Sequence, residues 1–255
     1  MSDSLQSSKA TLARAKHHCH DFNWQFGIYF DSKPFSEVLS EFDPNTNQDV
    51  YKVKLAKPMP AMLNGIAADA INNLRSALDQ AGFAASIAAG GNGKNTYFPF
   101  GDTAAEVNSR KATGSKEIPG EIFSLMESFK PYRGGDDLLW ALNKLCNTHK
   151  HRILMPIAMT TGGARLGEIG WDNAKGGKIN LVPIWDSAKN EMEIARMPHG
   201  AHLKYKMQLA HSISFGEIDA VKGLPAASVL RALILKVDGI LMAIEAEARR
   251  IGLIH

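Results

Sequence analysis

Residues 226–251 carry the clearest helical pattern in the chain and constrain its fold most. Leu230, Leu233, Val237, Ile240, Leu241, Ile244, Ala248 and Ile251 recur at threes and fours, which makes one continuous apolar face. A face of that kind has to be covered by another element. Residues 61–88 repeat the pattern with Leu63, Ile66, Ala70, Leu74, Ala77, Leu78, Ala81 and Ala85, and Gly90-Gly91-Asn92-Gly93 stops it. A third helix is predicted over 136–151, with Asp136 or Asp137 near its start to offset the dipole. A shorter one over 122–129 ends before Pro131. Residues 4–43 read as one or two helices through Leu12, Phe22, Phe26, Val38, Leu39 and Phe42, the second piece opened by Pro34.

The period changes after Arg152. Strands are predicted over 153–160, 165–169, 178–185, 192–197 and 203–215. Gly162-Gly163, Lys175-Gly176-Gly177 and residues 186–190 are the hairpin connections, and short links favour antiparallel pairing. Earlier in the chain, Tyr51-Lys52-Val53-Lys54-Leu55 alternates as a half-buried strand, and Tyr97-Phe98-Pro99-Phe100 interrupts an irregular region that runs to Gly120. The fold class is α+β. A helical bundle is built from N-terminal, central and C-terminal helices, with a mostly antiparallel β-sheet inserted. The expected organisation is a single interlocked domain over 1–255: helical 1–152, β-rich 153–216 and a C-terminal helix over 225–252.

Composition narrows the function classes. The chain has 255 residues, 45% apolar and 22% charged, enough for a sizeable core and unlike a disordered segment. A net charge of +3 is too near neutral for nucleic-acid binding by bulk charge, although it allows a local basic patch. Two cysteines, Cys19 and Cys146, supply neither a disulfide framework nor a four-thiolate zinc site. The first residues lack the apolar core of a signal peptide, and the longest uncharged stretch, 80–93, falls short of the ~20 residues that span a bilayer. The expectation is a cytoplasmic protein with no membrane partner.

Two constellations carry chemistry. On the 61–88 helix, Asp79 lies about 40° from Arg75 and Asn72 about 60° away on the same side. Leu74 and Leu78 put the Arg75 stem at the border of the apolar seam. The plainer reading is a rim salt bridge between residues four apart; the functional one is an arginine presented to an anion, its fork held by the aspartate. On the 136–151 helix, Leu138, Leu142, Leu145 and His149 share one face, while Trp140, Asn143, Asn147, Lys150 and His151 share the other. Cations there compensate the macrodipole, yet His149-Lys150-His151-Arg152 exceeds what one helix end needs. His17-His18-Cys19-His20-Asp21 has metal-ligand residue types but no second ligand pair, so it reads as a solvated helix face and no metal is expected. Asn92-Gly93-Lys94-Asn95 is not a phosphate loop, because Ala88 and Asn95 stand where a glycine and a hydroxyl are needed. No nucleotide-fold glycine fingerprint or serine elbow is present, and no cofactor is expected.

Leu74-Arg75-Ser76-Ala77-Leu78-Asp79, then Lys130-Pro131-Tyr132, Leu139-Trp140 and Asn147-x-x-Lys150-His151-Arg152, resemble a group of bacterial hypothetical proteins with LRSALDH, PY and N-x-D-K-H-R segments. The likeness covers residues 60–155. This chain departs from it with Gln80 in place of the first histidine and His149 in place of the aspartate. The LRSALDH segment is in turn similar to the ribonuclease motif of HEPN domains. That resemblance implies a small helical bundle, a homodimer, and metal-independent cleavage of RNA through its 2′-hydroxyl. Only Arg75 carries over, since positions 80 to 82 are Gln, Ala and Gly.

The expected function is a polar site for a phosphate or other anion between the two central helices. Arg75 and Asp79 form one wall; Asn147, Lys150, His151 and Arg152 form the other, with Trp140 and Asn143 beside them. If the site is catalytic, His151 is the general base and Arg75 or Lys150 stabilises developing negative charge. The expected partners are RNA or a phosphate-bearing small molecule. The competing expectation is a non-enzymatic binding or interaction protein in which the same cluster is a structural salt-bridge network.

Overall fold

The alanines of the 61–88 stripe decide how its helix is used. In the computed structural model, α1 spans Gln6–Asp31 and α2 spans Ala61–Ala88, entered from Pro60. Leu63, Ala67, Ala70, Ile71, Leu74, Ala77, Leu78 and Ala81 are fully buried, and the small ones let α1 approach closely. Along α1, Ser8, Leu12, Ala15, Cys19, Phe22 and Tyr29 are buried. With the partly buried Phe26 they step by fours and threes, the heptad spacing of two helices packed side by side. The structure describes the backbone of residues 5–151, 157–172, 178–179, 185–186, 189–215 and 218–254, and side chains at 5–147, 186, 189–201, 213–215 and 218–254.

The remaining helices are α3 (Ala104–Ser109), α4 (Gly120–Ser128), α5 (Asp137–His151) and α6 (Ala226–Arg250). The apolar face of α6 lies against α1, α2, α4 and α5, so the helices from both ends of the chain pack together. Lys9–Glu245 at 2.8 Å and Lys16–Asp238 at 2.7 Å cross the α1–α6 boundary. The Asp136 carboxylate accepts the Leu139 N–H at 3.0 Å and a Lys236 proton at 2.6 Å. One side chain thus caps α5 and ties it to α6. Among the described residues, no helix is long and apolar enough to cross a membrane.

The fold is α+β, but its strands begin earlier than the sequence suggests. Residues 34–43 do not form a second helix: β1 (Leu39–Asp43) pairs antiparallel with β2 (Gln48–Lys54), and β2 with β6 (Glu191–Pro198). Val38, Leu39 and Phe42 make too short an apolar set to separate helix from strand. The chain reverses because Asp43 accepts the Asn45 N–H and the Thr46 hydroxyl, each at 3.0 Å, and Asn47 takes a φ of 52°. Two short strands, β4 (Lys178–Ile179) and β5 (Trp185–Asp186), also pair with β6, giving a five-stranded antiparallel sheet. The sheet thus draws strands from both sides of the central helices, with β6 flanked by β2 from the N-terminal half.

A second sheet pairs β3 (Ile157–Asp172) with β7 (His202–Phe215). Gly162-Gly163, read as a hairpin connection, instead lies within β3. Thr161 opposes His211 and Ala164 opposes Leu209, so three steps face two, and the glycines fall in a bulge. The expected connection at 175–177 lies outside the described residues. Ile213 and Phe215, at the end of β7, enter the same core as the helices. A second cluster of Tyr51, Val53, Met192, Ile194 and Met197 packs against Tyr29 of α1, and Met59 touches both clusters.

Candidate functional site

Arg75 follows the fully buried Leu74 in the middle of α2, and its guanidinium reaches the 97–100 segment that runs beside the helix. The carbon of that guanidinium sits 4.3 Å from the centre of the Phe100 ring. One guanidinium nitrogen donates to Asp79 Oδ1, which also accepts the Phe98 N–H at 2.8 Å. Asp79 therefore serves two ends, orienting the arginine and fastening the aromatic segment to α2. The segment is held from its other side as well. The Tyr97 N–H donates to Gly114 O at 2.9 Å, and the Ser115 hydroxyl donates to Tyr97 O at 2.6 Å.

A second arginine reaches the same place from α3. Thr103 caps that helix by accepting the Glu106 N–H at 3.2 Å, and Arg110 begins the single 3-10 turn that follows. Its Nε donates to Phe100 O at 3.1 Å. One arginine thus lies over the ring of Phe100 and the other on its carbonyl. Arg110 has no acidic partner among the described residues.

Asn143 and Asn147 of α5 complete a cavity of about 250 Å³ with Arg75, Arg110, Ser115 and Phe100. Among the described residues, two guanidiniums and two amides stand in its wall, and no carboxylate does. The side-chain amides of both asparagines make no hydrogen bond among the described residues. Such a set offers a planar cationic fork and neutral donors, which suits an anion with several oxygens. The volume is below the roughly 300–1,000 Å³ of sites for drug-sized ligands, so the cavity accepts a single small group.

The expected residues separate into three sets. Arg75, Asn143 and Asn147 meet in one cavity, with Asp79 behind Arg75. The side chains of Lys150 and His151, and Arg152 as a whole, lie outside the described residues, as does the His149 side chain. Trp140 lies elsewhere: it is seven residues, about 10 Å along the helix, from Asn147. Its indole N–H donates to Asp102 Oδ1 at 2.8 Å, and the Arg133 guanidinium and Lys144 ammonium lie 5.4 and 5.5 Å from its ring centre. Hydrogen bonds from Lys144 and from Trp140 hold the Asp102 carboxyl below the usual range. Asn72, on the same stripe as Arg75, instead meets Cys146, whose Sγ is 3.2 Å from its Oδ1.

Gln80, at the position where the HEPN resemblance would require a histidine, faces α1. Its Oε1 accepts from the Ser7 hydroxyl at 3.1 Å and the Thr11 hydroxyl at 2.9 Å. The run at 17–21 divides between faces of α1: His17 and His20 are exposed, while Cys19 is buried and burial pushes its thiol up. Among the described residues, no group of three histidine, cysteine or acidic side chains is placed to hold a metal ion.

Periodicity marks none of Arg110, Ser115, Tyr97 and Phe100 as site residues. An isolated arginine in an irregular stretch has no periodicity to mark it. The one signal is the aromatic run at 97–100, of which Phe98 and Phe100 are buried. Comparison with protein-family models, with curated proteins and with solved structures found no match to this chain.

Proposed function

We propose that this protein binds a phosphate-bearing ligand in the cavity between α2 and α5. The observation that supports this most is charge: Arg75 and Arg110 converge on one small cavity with no carboxylate among the described residues of its wall. Arg75 is pre-oriented by Asp79 and Phe100, so little ordering remains when an anion arrives. Asn143 and Asn147 add donors without charge. A catalytic version, metal-independent RNA cleavage with His151 as general base, rests on the HEPN resemblance. The position of Gln80 against α1 gives that version no support from the described side chains.

A structural role has its own support. Arg75 is 15% exposed, and its partner Asp79 also anchors the Phe98 N–H, so the pair holds the 97–100 segment whatever the cavity binds. Two substitutions separate the roles. Arg75→Ala loses an intrahelical pair and a cation–π contact and destabilises by about 1–2 kcal/mol. Arg110→Ala, on an exposed side chain, leaves the melting temperature nearly unchanged. Both weaken binding of pyrophosphate, measured by titration calorimetry at low salt. The slope of log Kd against log salt for a short single-stranded RNA falls by about 0.7 for Arg110→Ala, as expected for one lost phosphate contact. Wild-type protein that binds none of these anions, together with a destabilised Arg75→Ala, would leave only the structural role.

A further inference from the structure

A second cavity, about 590 Å³, shares Tyr97 with the first. Asp79, Gln80, Phe83, Lys94, Asn95 and Tyr97 stand in its wall. Phe83 and Tyr97 are left 48% and 60% exposed, and both border this one opening. Neither ring is there by accident of a loose loop. Gly93 has a φ of +74°, and a Cβ at that position would run into the Phe83 ring, so the loop lies flat on that ring because the residue is glycine. Tyr97 is fixed through its own N–H and carbonyl to Gly114 and Ser115, and the next N–H is fixed to Asp79.

The two cavities differ in charge as well as size. Among its described residues the smaller has two arginines and no carboxylate. The larger has the Asp79 carboxylate, which repels a phosphate and accepts hydrogen bonds from hydroxyl or amine groups. Its Oδ1 is shared by Arg75 and Phe98, whereas its Oδ2 makes no hydrogen bond among the described residues. Lys94, at the rim, has no acidic partner among the described residues. A ligand that fills both cavities is therefore anionic at one end and, at the other, aromatic and rich in hydrogen-bond donors.

Resting on the anion reading of the smaller cavity, we propose that the ligand is a nucleotide unit. Its phosphate lies at Arg75 and Arg110, its base against Tyr97 and Phe83, and Asp79 Oδ2 accepts from a ribose hydroxyl or an exocyclic amine. The larger cavity falls within the roughly 300–1,000 Å³ that holds a compact organic ligand. Aromatic plates flanked by cations are the chemistry by which proteins take a nucleobase without reading its sequence. A free mononucleotide and one residue of a single strand present the same chemistry to this site.

The test is titration calorimetry of the full chain with inorganic phosphate, ribose 5-phosphate, adenosine 5′-monophosphate and a short single-stranded RNA. Adenosine 5′-monophosphate is expected to bind about 5- to 150-fold more tightly than ribose 5-phosphate, the gain from one stacked base. Tyr97→Ala removes most of that ratio; because Tyr97 borders both cavities, the readout is the ratio of the two affinities rather than either one alone. Phe83→Leu, which keeps bulk over Gly93, reduces the ratio; Arg110→Ala weakens both ligands alike. RNA binding more tightly than the mononucleotide assigns a strand, and equal affinity assigns a free nucleotide. Equal binding of ribose 5-phosphate and adenosine 5′-monophosphate by the wild type overturns the nucleotide assignment while leaving the anion site. Equal weakening of the two by Tyr97→Ala, at an unchanged melting temperature, does the same. Failure of all four ligands to bind removes both.

Discussion

At the scale of single residues, the site depends on how closely the 95–98 strap lies on α2. Gly82 decides that distance. A Cβ there would come within contact of the Thr96 carbonyl oxygen and 2.9 Å from Ile118 Cδ1. Alanine is the better helix former by about 1 kcal/mol, so an isolated α2 would gain from Gly82→Ala. In the folded chain the strap must move off, and overpacking of this kind costs about 1–3 kcal/mol. We expect Gly82→Ala to lower the denaturant midpoint and to weaken pyrophosphate binding, because Asp79 loses its hold on Phe98 as the strap shifts. An unchanged or raised midpoint would show that the strap yields easily and is no fixed wall.

At the scale of elements, the α1–α6 boundary joins two helices from opposite ends of the chain. Glu245 of α6 is hydrogen-bonded by Lys9 of α1 and by Arg249 of its own helix, and those bonds hold its carboxyl below the usual glutamate range. A depressed folded-state pKa favours the fold only while the group is ionised. That contribution is fully present above the unfolded glutamate value of about 4.3 and is lost as pH falls through the lower folded value. Glu245→Gln should therefore melt below wild type at pH 7, by roughly 0.5–1 kcal/mol for a partly exposed pair. The difference should hold to about pH 5 and close as the solution is taken into the depressed range. A difference that persists to the lowest pH would mean that the ion pairs carry none of it.

At the scale of the whole molecule, α1 links the two buried clusters. Its Leu12 and Phe22 belong to the helical core and its Tyr29 to the cluster beneath the five-stranded sheet. A helix shared in this way predicts one unfolding transition for both. Leu74→Ala in the first cluster and Ile194→Ala in the second, each at most 1% exposed, should each cost about 2–5 kcal/mol. Both should move the same calorimetric peak. Two peaks, each sensitive to only one of the substitutions, would divide the chain into separate units.

The sequence by itself determined the long helices. The 3.6-residue stripes over 61–88 and 226–251 leave a helix no other way to bury Leu74 or Leu233 on one face, and α2 and α6 follow them nearly end to end. It also marked Arg75, Asn143 and Asn147, because each stands on a polar stripe beside a strong apolar one. Only the tertiary structure decided the rest. Residues 39–43 became a strand because β2 and β6 offered an edge to pair with, a choice that five residues of local pattern do not encode. Gly162-Gly163 became a bulge because β7 runs alongside both halves of β3. Arg110 and Tyr97 joined Arg75 through hydrogen bonds that end on the main chain, at Phe100 O, Gly114 O and the Phe98 N–H, and a main-chain group offers the same bond whatever side chain it carries. Periodicity reports which face of an element is buried. It does not report which loop will close over the other face, and the candidate site lies there.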